Sequence, residues 1–139
     1  MIAVRKRLSK LPFVSADRDK FKQVVVNILL NAIDAMPDGG ELLVSSSATI
    51  NEETGNEVAT FQFKDTGGGI SEDTIDKVFE PFYTTKPDGV GLGLAVCKSI
   101  IEQHGGAISI QNYHTSGDTS GTIMMIEFPI NTKTTIAVQ

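Results

Sequence analysis

Between positions 17 and 36, apolar side chains return at helical spacing: Phe21, Val24, Val25, Ile28, Leu29, Ala32, Ile33 and Met36. The pattern predicts one long helix, opened by Asp17 or Asp19 as N-cap and ended before Pro37. At about 100° per residue, Lys20, Gln23, Asn27, Asn31 and Asp34 fall within an arc of roughly 80°. Nearly every other position is apolar, Lys22 excepted, so the helix is expected to lie in a core on most sides and to show one narrow polar stripe. A solvated stripe usually carries Glu and Lys, whereas asparagine is a poorer helix former. Asn27 and Asn31, one turn apart, therefore read either as an ordinary exposed face or as a wall of a wet cavity.

After the turn Asp38-Gly39-Gly40 the period changes to two, predicting strands at 41–50 and 57–65 joined by a polar hairpin loop. A short helix is expected from Ser71 or Glu72 through Val78, followed by the cluster Phe79-Glu80-Pro81-Phe82-Tyr83-Thr84-Thr85-Lys86. Gly89-Val90-Gly91-Leu92-Gly93-Leu94 then leads into a second long helix, stopped by Gly105-Gly106. Two strands close the pattern: 107–113, with Ile108 and Ile110 inward, and 121–130, with Met124, Ile126 and Phe128 inward. Strands and helices do not alternate regularly, so the expected fold is a two-layer α/β (α+β) sandwich, a mixed, mostly antiparallel sheet with helices on one face. Residues 11–130 form the domain in this reading. Residues 1–10, with Arg5, Lys6, Arg7 and Lys10, are either the stub of an upstream region or a first edge strand, and 131–139 are a polar tail.

Composition narrows the function. The chain has 139 residues, 40% hydrophobic and 21% charged, enough for one domain with a real core. A net charge of −5 argues against non-specific binding to nucleic acid or membrane, and requires that any polyanionic ligand be held by local donors or a metal ion. No long apolar run or signal peptide is present, which points to a cytoplasmic segment without membrane contact. Cys97 is the only cysteine, so an internal disulfide or cysteine metal site is excluded; its apolar helical setting reads as core.

The chemistry concentrates in Asp65-Thr66-Gly67-Gly68-Gly69-Ile70. Strand alternation puts Asp65 on the face of Phe61 and Phe63, where a carboxylate needs hydrogen-bond donors. The glycines allow close approach to the backbone. The motif reads as a pocket for a flat polar group such as the amino edge of an adenine, or as a buried Asp capping its own turn. Separately, alternate glycines at the start of the second helix offer bare N–H groups and a favourable dipole to phosphate. They fit neither a P-loop nor a dinucleotide-binding turn.

Taken in order, these elements resemble the ATP-binding domain shared by sensor histidine kinases, gyrase-type ATPases and heat-shock chaperones of the ninety-kilodalton class. Residues 27–32 look like the N box, 65–70 the first G box, 79–86 the F box, 89–94 the second G box, and Gly121-Thr122 a weaker third. The phrases Asn31-Ala32-Ile33-Asp34-Ala35-Met36 and Phe79-Glu80-Pro81-Phe82, the latter leading to Thr84-Thr85-Lys86, are similar to nitrogen-regulatory-type sensor kinases, as is the short lid between Lys86 and Gly91.

The resemblance implies a Bergerat-type fold that binds ATP with Mg2+. Asn31 would coordinate the magnesium ion and Asp65 would accept from the adenine amino group. Gly67, Gly69 and Ile70 would line the base, and Lys86 would reach the terminal phosphates. Gly91, Leu92, Gly93 and Leu94 would offer N–H groups to the triphosphate; Asn27, Thr85 and Thr122 would complete the nucleotide contacts. Hydrolysing relatives place a glutamate where this chain has Asn27. An amide cannot take a proton from water as a carboxylate can, so Asn27 fits transfer to an incoming histidine. Neither His104 nor His114 lies on a dimerisation helix, so the implied acceptor is a histidine-bearing dimerisation domain, with a response regulator beyond it, and the chain is not expected to autophosphorylate alone. His104 reads as a helix C-terminal residue favoured by the dipole. Gly68 stands where the family commonly has a bulkier residue or proline. Rival readings are a stand-alone serine kinase acting on a sigma-factor regulator and a non-catalytic, nucleotide-dependent scaffold.

Overall fold

The computed structural model describes residues 2–8, 17–81 and 93–130. Five strands, β1 (Ile2–Leu8), β2 (Gly40–Ile50), β3 (Glu57–Asp65), β4 (Ala107–His114) and β5 (Ser120–Pro129), form one sheet in the order β1-β2-β3-β5-β4. The β1–β2 pair is parallel and the other three pairs are antiparallel. A parallel pair needs a long crossover, and α1 (Arg18–Ala35) supplies it. The remaining helices, α2 (Glu72–Ile75) and α3 (Gly93–Gln103), lie between β3 and β4 in sequence. This is the mixed, mostly antiparallel sheet expected from the pattern. Ile2–Leu8 is an edge strand, running in register with residues 40–46.

Alternation along the strands builds the core. Leu42, Ala59, Phe63, Met124, Ile126 and Phe128 turn toward the helices and meet Val24, Ile28 and Ala32 of α1 and Cys97, Ile100 and Ile101 of α3. Phe21, Phe61 and Phe128 join in tilted and edge-on ring contacts, with centroids 5.4–6.3 Å apart.

Two expectations need correction. Helix α1 is not enclosed on most sides: Val26, Leu30 and Ile33 are 51, 53 and 48% exposed. One flank of α1 meets the sheet and another meets α3, and among the described residues the third carries no covering element; periodicity shows which positions are apolar but not how many neighbours a helix has. The helix expected to reach Val78 is α2, four residues long, which gives way to turns stabilised by bonds such as Lys77 N–H to the Thr74 carbonyl.

Candidate nucleotide site

Helices α1 and α3 lie antiparallel, and polar contacts mark both ends of their contact. Asp17 is the N-cap of α1, accepting from the N–H groups of Asp19 and Lys20 at 3.0 and 3.1 Å. Its own N–H donates to Nε2 of His104 at 3.0 Å, while Nδ1 of that ring donates to the Ile100 carbonyl at 2.7 Å. Ten residues along α1, Nδ2 of Asn27 reaches the Gly93 carbonyl at 3.5 Å and Sγ of Cys97 at 3.7 Å. The first turn of α3, whose amides have no partner within the helix, is thereby set beside Asn27. Asn31, half-buried, follows one turn further along α1.

The opposite end of the site forms where β3 stops. Asp65 is only 7% exposed, and its Oδ1 accepts from the N–H groups of Gly67 at 3.0 Å and Thr122 at 3.2 Å. Both described donors fall on the same oxygen. Burial pushes this carboxyl above the ordinary aspartate range, and the two N–H groups pull it part of the way back. The bonds to Oδ1 match the turn-capping reading of Asp65 and leave the pocket reading open. Thr122, itself buried, lies beside it.

Gly67 approaches the end of α1 so closely that an added Cβ would sit 2.5 Å from the Ala35 carbonyl oxygen. Gly68 has φ +89° in open space, a conformation that suits glycine and that proline, fixed at negative φ, cannot adopt. The contact at Ala35 orders the site along α1. From Asn27 through Asn31 to Ala35 is eight residues, about 12 Å at the helical rise.

The structure therefore groups Asp65, Gly67, Gly69, Ile70 and Thr122 at one end and Asn27, Asn31, Gly93 and Leu94 at the other. Thr85, Lys86, Gly91 and Leu92 lie outside the described residues. Sequence reading missed Tyr113, whose hydroxyl donates to the Asp65 carbonyl at 2.6 Å, and Asn112, which bonds to Ile70. For Asn112 a signal was present: it continues the inward positions of Ile108 and Ile110 as a polar side chain. An open groove lined by Phe79, Ala95, Lys98 and Glu102 is separate from Asp65.

This geometry has close counterparts. The chain belongs to the histidine kinase-, DNA gyrase B- and HSP90-like ATPase family, whose model matches residues 16–132. It is 38% identical over 123 residues to sporulation kinase E of Bacillus subtilis (strain 168), covering 88% of this chain and 15% of that protein. It is 42% identical over 109 residues to the sensor histidine kinase ZraS of Escherichia coli (strain K12), covering 78% and 22%. The chain thus spans less than a quarter of either relative's length. The solved catalytic domain of histidine kinase ThkA superposes with a TM-score of 0.76 at 31% identity, covering 93% of this chain and 79% of that one. Full-length ShkA in complex with AMPPNP gives 0.77 at 29% identity, covering 98% and 26%.

Proposed function

We propose that this chain is the ATP-binding catalytic part of a two-component histidine kinase: it binds Mg-ATP and donates the γ-phosphate to a histidine on a dimerisation domain. The observation that carries the reading is Asp65, an enclosed carboxylate whose Oδ1 accepts from two backbone N–H groups. Family membership and the AMPPNP complex of a structural relative support ATP as the ligand.

In this reading Oδ2 of Asp65 accepts from the adenine amino group, with Gly67, Gly69 and Ile70 lining the base and Thr122 beside it. The amides of Gly93 and Leu94, at the first turn of α3, face the phosphates, where the helix dipole favours negative charge. Magnesium commonly takes few protein ligands and completes its shell with phosphate and water; the Asn31 amide oxygen would be the protein ligand. Bound there, the ion would neutralise developing charge on the phosphates. Thr85, Lys86, Gly91 and Leu92 are assigned to the phosphates from the family resemblance.

Asn27 supplies no carboxylate to activate water, so the phosphoryl group goes to an incoming nucleophile. Its side chain also holds α3, so it contributes to placing the phosphate end. No helix among the described residues is long and apolar enough to cross a membrane. A need for ATP assigns the domain to the cytoplasm, with a response regulator as the later phosphate acceptor.

The test supplies a histidine-bearing dimerisation domain in trans with γ-labelled ATP. The expected product is acid-labile, alkali-stable label on that domain. Acid-stable label on serine would favour a serine kinase, and no label despite nucleotide binding would favour a scaffold.

A further inference from the structure

We infer that Asn112 of β4 is a positioning residue for the base end of the site, acting through Ile70; the role rests on the nucleotide reading above. The Ile70 N–H donates to Oδ1 of Asn112 at 2.8 Å, and Nδ2 of Asn112 donates back to the Ile70 carbonyl at 2.5 Å. Paired bonds in opposite directions are what a neighbouring strand supplies, so one side chain replaces a strand partner at the far end of the turn. The amide orientation follows from its partners, because the reverse would set N–H against N–H and oxygen against oxygen.

The placement connects this clamp to the carboxylate. Asn112 is directly across the β4–β5 ladder from Thr122, whose N–H holds Asp65. The next residue, Tyr113, bonds the Asp65 carbonyl at 2.6 Å, and the Gly68 N–H donates to the Ser120 carbonyl at 3.1 Å. The turn from Asp65 to Ile70 is thus held at both ends and in the middle by the β4–β5 hairpin. Gly69 makes room for the clamp: a Cβ there would sit 3.0 Å from Oδ1 of Asn112. Because Asn112 is exposed, its bonds compete with water, and their loss should move Ile70 without unfolding the sheet.

The test titrates ATP and ADP, each with and without magnesium, into the wild type, Asn112→Ala and Asn112→Ser, and follows amide exchange by NMR. Asn112→Ala is expected to weaken ATP and ADP by the same factor, about 5- to 10-fold, as for one or two exposed hydrogen bonds. Asn112→Ser, with one hydroxyl in place of the amide, is expected to lose less. The magnesium dependence should stay as in the wild type. The Ile70 amide should exchange faster in Asn112→Ala, whereas that of Gly67, held by Asp65, should not. Unchanged affinity with unchanged Ile70 exchange overturns the proposal, as does an affinity loss explained by a larger unfolded fraction. A wild-type chain that binds neither nucleotide overturns the ATP reading itself, and this role with it.

Discussion

The backbone N–H of Thr122 donates to Oδ1 of Asp65 across 3.2 Å, joining the end of β3 to the start of β5 through a carboxylate rather than a carbonyl. Enclosing that charge has a cost. Burial raises the carboxyl above its ordinary value of 3.8, so the folded chain retains a proton that the unfolded chain has released. Asp65 therefore contributes stability below that ordinary value and loses the contribution as pH rises through the raised one. At neutral pH without ligand it is a burden on the fold.

Asp65→Asn consequently separates stability from function. Its amide oxygen can still accept from Gly67 and Thr122, but its NH2 then faces the ligand. Without nucleotide at pH 7, the variant is expected to melt no lower than the wild type. Its ATP affinity should fall by about 10- to 150-fold, the loss of a charged acceptor worth about 1.5–3 kcal/mol. Thermal melts and calorimetric titration check the two halves independently.

Gly67→Ala tests the contact between the turn and α1. The new Cβ would lie 2.5 Å from the Ala35 oxygen and 2.9 Å from the Ala35 Cβ, so backbone must move. The expected cost is about 1–3 kcal/mol, with weaker ATP binding. Gly68→Ala meets nothing within 4 Å and should cost only the strain of positive φ, about 1–2 kcal/mol. Denaturant melts of the two variants should rank Gly67→Ala as the less stable.

Much of this fold is legible in the sequence because local signals agree. Alternation places β2 to β5 within a residue or two, and Asp17 and Pro37 bound α1. Strand parity with Phe61 and Phe63 is enough to turn Asp65 inward. Signals that depend on distant neighbours are not readable in this way. The exposure of Val26, Leu30 and Ile33 depends on which α1 flank meets the sheet. The Asn112 clamp joins positions 42 residues apart. The sequence suggests only a local helix-end role for His104, yet its ring binds the Asp17 N–H of the other helix.

His104→Ala should therefore act on α1 as well as α3. Removing the ring leaves the Asp17 N–H and the Ile100 carbonyl without these partners, at an expected cost of about 1–2 kcal/mol. Amide exchange should quicken in the first turn of α1, although the substitution is 87 residues away in sequence. Acceleration confined to the end of α3 would contradict a role for the His104–Asp17 bond in holding α1.

Cys97 should be chemically quiet. It is fully buried, its Sγ lies 3.8 Å from the Val24 carbonyl, and burial pushes the thiol above its ordinary value, disfavouring the reactive thiolate. A thiol reagent at neutral pH is expected to leave the native chain unlabelled and to label it on unfolding. Rapid labelling of the native protein would mean that the α1–α3 contact opens.

The central claim, that Asp65 and the polar stripe of α1 bind one nucleotide between them, is tested most directly by calorimetric titration with a non-hydrolysable ATP analogue, with and without magnesium, in the wild type, Asp65→Asn and Asn31→Ala. The account predicts one site in the wild type that tightens with magnesium, an affinity loss in Asp65→Asn whether or not magnesium is present, and loss of the magnesium gain in Asn31→Ala. No binding by the wild type at millimolar analogue, or magnesium-dependent binding unchanged in both variants, would contradict it.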